Sequence, residues 1–225
     1  NTAGQAHCWG ANECGMLGDG AGGDCENDTG ANVLSTVPVA VLEPGAPARA
    51  VDPSGRPSCA LTREGGVACW GRNQNGALGF LDPTFSDTPT LIDNLDHGIV
   101  AVTVGGLHAC ALTDDGAVLC WGQGTYGQLG NGEDGHCEDE LHDWERDISV
   151  SRPALVQGLE SGVIAVDAGF RFTCALTGEG GVTCWGSNGV GQLGTAETGT
   201  GYCAHSNVPV DVDGLQSGVV AISAG

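Results

Sequence analysis

The stretch Cys120-Trp121-Gly122, followed by Gly127-Gln128-Leu129-Gly130, decides how this chain folds. The same template, C-W-G-x4-G-x-L-G, begins again at Cys8, Cys69 and Cys184. A motif repeated in tandem at such intervals indicates similar structural units, each of which buries its apolar side only against its neighbours. Because the tryptophan recurs in every unit, we expect it to pack between units rather than to bind a cofactor.

One unit is predicted to contain four short strands. Residues 99–104 are mostly apolar, residues 108–113 and 117–121 form a hairpin, and a fourth strand starts at Pro153. Proline is confined to strand starts and sheet edges, so we expect the fourth strand at the outer edge. No segment has helical periodicity. Four-stranded units rich in turn glycine predict an all-β fold, a β-propeller of about four blades.

The predicted blade units follow the repeat along the chain. They are residues 1–47 (incomplete), 48–97, 98–161, 162–217 and 218–225, the last being the start of a further blade. Residues 219–225 match residues 163–169 and should form an innermost strand, whereas Cys8 occupies the place of the second cysteine of a hairpin. We therefore expect an open arc, continued by further sequence, a second polypeptide or another copy.

The cysteines indicate an oxidising environment. Eleven are present, and three pairs stand ten residues apart: Cys59 with Cys69, Cys110 with Cys120, and Cys174 with Cys184. If Gly116 ends a three-residue hairpin loop, Cys110 lies directly opposite Cys120, close enough for a disulfide. Reduced thiols facing each other in the core are the alternative, and zinc is disfavoured because the spacing is not C-x2-C. Three hairpin disulfides predict an extracellular, periplasmic or cell-surface protein.

Four further cysteines fall outside these hairpins and the unpaired Cys8. Cys14, Cys25, Cys137 and Cys203 allow three connectivities. We favour Cys14 with Cys25, closing one loop onto its own blade, and Cys137 with Cys203, joining the loops of neighbouring blades.

Charge limits the classes of partner. The 225 residues carry 28 acidic and 7 basic side chains, a formal net charge of -21. Such a surface repels nucleic-acid phosphates and anionic lipids, and no apolar run approaches the roughly 20 residues of a membrane helix. We expect a protein partner or another copy of the chain, with no nucleic acid and no membrane insertion.

The repeats differ in length only in the segment between the last glycine of the template and the proline that starts the predicted fourth strand. The four loops are residues 19–37, 80–88, 131–152 and 195–208. Insertions of this kind map to one face of a repeat array, often the binding face. Aromatic residues dominate interface hot spots, so the predicted contacts are the loop aromatics and the acidic residues near Trp144: Trp144, Tyr202, Phe85, Glu138, Asp139, Glu140 and Asp143.

One loop resembles a calcium-binding sequence. Asp24, Glu26 and Asp28 place oxygen ligands at alternate positions, although the glycine at the sixth place is missing. Solvated charge that keeps a long loop soluble is the alternative, and both readings stay open. Calcium is therefore the one cofactor that the sequence suggests.

No catalytic motif is present. The sequence contains no H-E-x-x-H, nucleophile elbow or P-loop, and the G-x-G-x-x-G match at residues 122–127 does not sit in a strand-turn-helix unit. We assign no catalytic residue and predict that the chain is not an enzyme.

The repeat resembles that of the regulator of chromosome condensation family. The resemblance is carried by W-G-x4-G-x-L-G, by C-A-L-T-x-x-G at residues 110–116 and by P-x-x-V-x-G-L at residues 153–159. It implies a propeller, typically of seven blades, and the cysteine before tryptophan is similar to the exported bacterial branch. The founding member's nucleotide-exchange and chromatin roles are not carried over, because no exchange wedge matches and the charge has the wrong sign.

Three functions follow in order of preference. The first is an exported, disulfide-stabilised scaffold that binds a protein through its variable acidic loops. The second is an enzyme inhibitor or assembly subunit, since similar propellers include tight protein inhibitors of enzymes. The third is a propeller hydrolase or lyase, which would need a water-excluded pocket with perturbed acids.

Overall fold

A computed structural model describes residues 5–21, 34–41, 47–133, 149–196, 201 and 203–225. The described residues form fourteen strands and two short 3-10 turns, Glu13–Gly15 and Gln74–Gly76. The strands are β1 (His7–Ala11), β2 (Leu34–Ala40), β3 (Ala48–Asp52), β4 (Pro57–Thr62), β5 (Val67–Arg72), β6 (Phe85–Leu91), β7 (Ile99–Val104), β8 (His108–Thr113), β9 (Val118–Gln123), β10 (Ser149–Leu155), β11 (Val163–Ala168), β12 (Phe172–Thr177), β13 (Val182–Ser187) and β14 (His205–Asp211).

These strands form separate antiparallel sheets in chain order. Strands β3 to β6, β7 to β10 and β11 to β14 form three four-stranded sheets, while β1 pairs with β2. The first strand of each sheet faces the preceding sheet, because β7 packs against β3 and β4, and β11 packs against β7 and β8. The predicted all-β architecture of four-stranded blades is confirmed.

The hairpin between the second and third strands has the predicted register. Gly116 has a φ of 86° and donates its backbone N–H to the Thr113 carbonyl at 3.1 Å, so Cys110 stands opposite Cys120. In all three hairpins the paired cysteines have Cα atoms 4.1 Å apart and form a disulfide, as predicted. Cys14 and Cys203 are also disulfide-bonded. Their predicted partners Cys25 and Cys137 lie outside the described residues, so that pairing stays a prediction.

The fourth strand differs from the prediction in where it begins. It lies at the outer edge, as expected, but β6 starts at Phe85, four residues before Pro89. The proline lies inside the strand at an irregularity, where the register shifts between Cys69 and Gly71. Proline lacks the N–H that a regular ladder needs, and an irregular edge position does not require one. The variable loops are therefore shorter than predicted.

Tryptophan side chains join neighbouring blades. Each of three fully buried indoles donates its Nε1–H to the carbonyl of the variable residue in the preceding blade's G-x-L-G turn. The pairs are Trp70 with Met16 at 3.0 Å, Trp121 with Ala77 at 3.1 Å, and Trp185 with Gln128 at 2.9 Å. The predicted packing between units is confirmed for these three, whereas Trp9 is 64% exposed.

A second set of contacts links the innermost strands. A side-chain oxygen of one blade accepts the backbone N–H of the next: Asp52 from Val104 at 2.8 Å, Thr103 from Ala168 at 3.0 Å, and Asp167 from Ala224 at 2.7 Å. Ala224 thus holds the place that Val104 and Ala168 hold in their own blades, although residues 219–225 form no strand; that they begin a further blade stays a prediction. No helix in the described part of the chain is long and apolar enough to cross a membrane.

Candidate functional site: the loop face

Antiparallel strand order places two kinds of connection on one surface, which we call the loop face. It consists of the turns between first and second strands, residues 53–56, 105–107 and 169–171, together with the described parts of the connections between third and fourth strands. Neighbouring turns touch, since Arg56 donates its N–H to the Gly106 carbonyl at 3.4 Å and Gly106 donates to the Phe170 carbonyl at 3.0 Å. The loop face is thus continuous from blade to blade.

Buried asparagines anchor the variable loops. In three of the four repeats the template reads W-G-x-N, and the asparagine Oδ1 accepts the backbone N–H of the leucine in the G-x-L-G turn: Asn12 from Leu17 at 2.9 Å, Asn73 from Leu78 at 3.0 Å, and Asn188 from Leu193 at 2.9 Å. Asn73 also donates to the Phe80 and Pro83 carbonyls at 2.9 and 2.8 Å. These asparagines were not predicted as functional residues, although their recurrence in three of the four repeats is a signal in the sequence.

The third repeat replaces this asparagine with Gly124. There the Gln128 Oε1 accepts the backbone N–H of Tyr126 at 2.8 Å, just as the Gln192 Oε1 accepts that of Val190 at 3.0 Å in the fourth repeat. The glycine-rich segment at residues 122–127 therefore forms the end of β9 and the turn that follows it. It does not lie between a strand and a helix, the position that the nucleotide-binding G-x-G-x-x-G motif requires.

An arginine on the loop face contacts two aromatic rings. The Arg171 guanidinium carbon lies 4.4 Å from the Tyr126 ring centroid and 5.4 Å from that of Phe170. Both distances are within the range of cation–π attraction. Tyr126 is buried, Arg171 is partly exposed and Phe170 is 68% exposed. Gly106 leaves room for the Phe170 ring, since a Cβ at that position would be only 2.8 Å from ring carbons.

The predicted contact residues are only partly represented in the described chain. Phe85 begins β6 and is partly buried, directly opposite Arg72 in the register. It lies at the outer edge of the second blade, whereas Arg171 lies at the inner turn of the fourth. The other six contacts fall outside the described residues: Trp144, Tyr202, Glu138, Asp139, Glu140 and Asp143.

The calcium prediction also concerns residues that the structure does not describe. Asp24, Glu26 and Asp28 lie outside the described ranges. Within those ranges, no group of three or more His, Cys, Asp or Glu side chains could hold a metal ion. A calcium site therefore stays a prediction.

A histidine lies beneath the loop face at the start of β8. His108 is fully buried, and its Nε2 is 2.9 Å from the Thr173 Oγ1 of the next blade. Its Nδ1 has no hydrogen-bond partner among the described residues. Burial lowers the pKa of His108 from 6.5 to about 4, because the charged imidazolium loses its hydration. The ring is therefore neutral at pH 7.

The fold and the loop face define a class of protein: a β-propeller built from tandem four-stranded blades that carry variable loops on one side. Comparison with known proteins gives the family. The family model described as the regulator of chromosome condensation (RCC1) repeat matches residues 64–112, 115–176 and 179–225. The chain belongs to this family.

Relatives with this repeat are much longer than the chain. Human E3 ubiquitin-protein ligase HERC2 is 31% identical over 229 residues, which cover all of this chain but 4% of HERC2. Human WBSCR16 superposes with a TM-score of 0.73 at 22% identity, covering 99% of this chain and 52% of that one. Prp20p from Saccharomyces cerevisiae, whose structure is described with its binding to Gsp1p and histones, superposes with a TM-score of 0.71 at 21% identity, covering 93% and 46%.

Proposed function

We propose that this chain is part of an exported protein-binding scaffold whose contact surface is the loop face. The observation that carries the proposal is the exposure of apolar side chains on that face, Leu81 at 70% and Phe170 at 68%. Leu81 belongs to the variable loop between β5 and β6, and Phe170 belongs to the turn between β11 and β12. A contiguous exposed apolar patch is typical of a protein interaction site, and aromatic residues are enriched at its centre. We propose that Leu81 and Phe170 belong to one such patch.

The charge of the chain supports a protein with basic groups as the partner. The net charge of -21 attracts basic surfaces and repels nucleic acid. The predicted acidic contacts between residues 131 and 152 would strengthen this attraction. Protein binding by Prp20p, which shares the fold, supports this role only by analogy, because a fold does not determine a function.

The disulfides support export. Three disulfides bridge the hairpins, and eight cysteines of the described chain are oxidised. Disulfides persist in extracellular and periplasmic compartments and are rare where glutathione keeps thiols reduced. We therefore propose that the protein works outside the cytosol, at the cell surface, in the periplasm or in the medium.

Partner capture with loop-face variants tests the proposal. The intact protein, tagged, would be incubated with native extract and cross-linked, and the captured proteins identified by mass spectrometry. The double variant Leu81→Ser with Phe170→Ser should lose the specific partner. Ile164→Ser is the matched control, because Ile164 is 59% exposed but lies near the opposite end of the innermost strand.

The identity of the captured protein also separates the alternatives. An enzyme that loses activity on binding would indicate an inhibitor, and a second copy of the chain would indicate an assembly subunit. Equal capture by the wild type and the loop-face variant would contradict the proposed surface. Turnover of a substrate by the purified protein, with no partner captured, would favour the hydrolase or lyase.

A further inference from the structure

The contact between Arg171, Tyr126 and Phe170 joins two blades at the loop face. Tyr126 belongs to the G-x-L-G turn region of the third blade, and Phe170 and Arg171 form the first turn of the fourth. Other repeats have Gly55-Arg56 or Gly106-Leu107 where this one has Phe170-Arg171. The cluster is therefore a feature of one position in the arc and is not required by the repeat.

The hydrogen-bonding capacity of Arg171 is unused by the described chain. Among the described residues, only Asp96 and His97 form an ion pair, and no side chain or carbonyl there accepts a hydrogen bond from the Arg171 guanidinium. Contact with ring faces leaves the in-plane N–H groups of a guanidinium available, and these groups match the two oxygens of a carboxylate.

We propose that Arg171 is the anchor for a single carboxylate of the protein partner, with the exposed Phe170 ring packing against an apolar side chain beside that carboxylate. The two rings hold the guanidinium in place before binding, which reduces the entropy lost when the partner arrives. This inference rests on the proposed function, since it gives the chemistry of the same loop face.

Charge favours a lone carboxylate over a polyanion. A phosphate-rich ligand would bring many negative charges towards a chain of net charge -21, and repulsion would oppose it. One Asp, Glu or chain-terminal carboxylate within a neutral or basic partner surface adds a single negative charge at the arginine.

Selection from a defined peptide library tests the inference. The full-length protein would be panned against a displayed library of random twelve-residue peptides, and selected peptides would be measured by fluorescence anisotropy. We expect peptides that share one acidic residue next to an apolar one. Replacing that acid with its amide should weaken binding about tenfold or more, the effect of losing a bidentate charged pair.

Arginine variants identify the anchor. R171Q should lose this discrimination between acid and amide, and R171K should lose most of it because lysine lacks the planar fork. Arg63 lies in the hairpin turn on the opposite face, so R63Q is the control and should bind like the wild type. Unchanged circular dichroism of R171Q would separate binding from folding.

The outcomes separate the two proposals. Peptides that require Leu81 and Phe170 but bind R171Q as tightly as the wild type would overturn the carboxylate anchor and leave the loop face intact. Selection of peptides without any acidic residue in common would do the same. If no peptide is enriched over the library, both the anchor and the proposed binding face are contradicted.

Discussion

His108 shows how one buried side chain makes stability depend on pH. The folded protein keeps its imidazole neutral down to about pH 4, whereas an unfolded chain protonates it below 6.5. Unfolding therefore takes up a proton between these two values. Above pH 6.5 the ring is neutral in both states, so the full unfolding free energy is present there. As the pH falls from 6.5 towards 4, protonation of the unfolded chain lowers this free energy.

We predict that His108 alone lowers the unfolding free energy by roughly 3 kcal/mol between pH 6.5 and pH 4, because its pKa in the folded protein is about 4. Urea titrations at half-unit pH intervals measure this slope. His108→Phe should flatten it, and Phe172 shows that the equivalent position accepts a phenyl ring.

The control for this experiment is His97→Gln. The His97 side chain is 82% exposed, so its removal should leave the pH dependence as it is in the wild type. A His108→Phe protein that keeps the full slope would show that other groups cause it.

At the scale of the element, the turn after each fourth strand shows how a left-handed residue is tolerated. Gly158 and Gly214 both have a φ of 79°, and Asn94 takes the equivalent place at 66°. Asparagine is among the few L-residues that adopt this conformation readily. A Cβ at Gly158 would meet no atom within 4 Å, whereas at Gly116 it would lie 2.7 Å from the Gly162 nitrogen.

We predict three grades of destabilisation in the turns. Gly158→Asn should be nearly neutral, because Asn94 already occupies such a site. Gly158→Ala should cost about 1 to 2 kcal/mol from backbone strain alone. Gly116→Ala should cost clearly more, since the new methyl group would also collide with the next blade's backbone.

Thermal and urea unfolding of the three variants measure this order. The two alanine variants are matched, since φ is 79° at one site and 86° at the other. Equal losses of unfolding free energy for both alanine variants would show that the backbone near Gly162 moves away from the new methyl group at no energetic cost.

The elements were more predictable from sequence than the site. The hairpin register followed from Gly116 and the ten-residue cysteine spacing, because both are local and repeated. The start of β6 did not, because the irregularity opposite Trp70 admits Pro89 inside a strand. The Arg171 contact with Tyr126 could not be predicted, since it joins two blades, and only their side-by-side packing brings the rings to the guanidinium.

At the scale of the whole molecule, stability is distributed over similar units and the contacts between them. Each hairpin disulfide closes a short loop within its own sheet, so it stabilises one blade directly and its neighbours through the tryptophan contacts. The disulfides differ in burial. Both cysteines of each disulfide in the second and third blades are fully buried, whereas Cys174 in the fourth blade is partly exposed.

We predict that a thiol reductant opens the disulfides in a fixed order under native conditions. Cys174–Cys184 should be reduced first, and Cys59–Cys69 and Cys110–Cys120 should resist until the protein unfolds, because attack needs access to sulfur. Alkylation followed by mass spectrometry of the peptides gives the order.

Replacing Cys110 and Cys120 together with alanine should cost about 2–3 kcal/mol of unfolding free energy.

The internal control is Cys8, which is a free, half-buried thiol whose pKa is raised by burial. It should be alkylated only slowly, even before reductant is added. Simultaneous opening of all three disulfides in the native protein would show that the blades open together.

Directly opposed residues close each connection between a third and a fourth strand, which contains the G-x-L-G turn and the variable loop after it: Ala11 with Leu34, Arg72 with Phe85, Gln123 with Ser149, and Ser187 with His205. A chain segment thus leaves and re-enters every blade at one cross-strand step of about 5 Å. Doubling the length of such a segment adds only about 0.6 kcal/mol of closure cost. Foreign peptides, or whole small domains with adjacent termini, can therefore be spliced in at these four positions, and natural lineages can acquire a new specificity there without redesigning the framework.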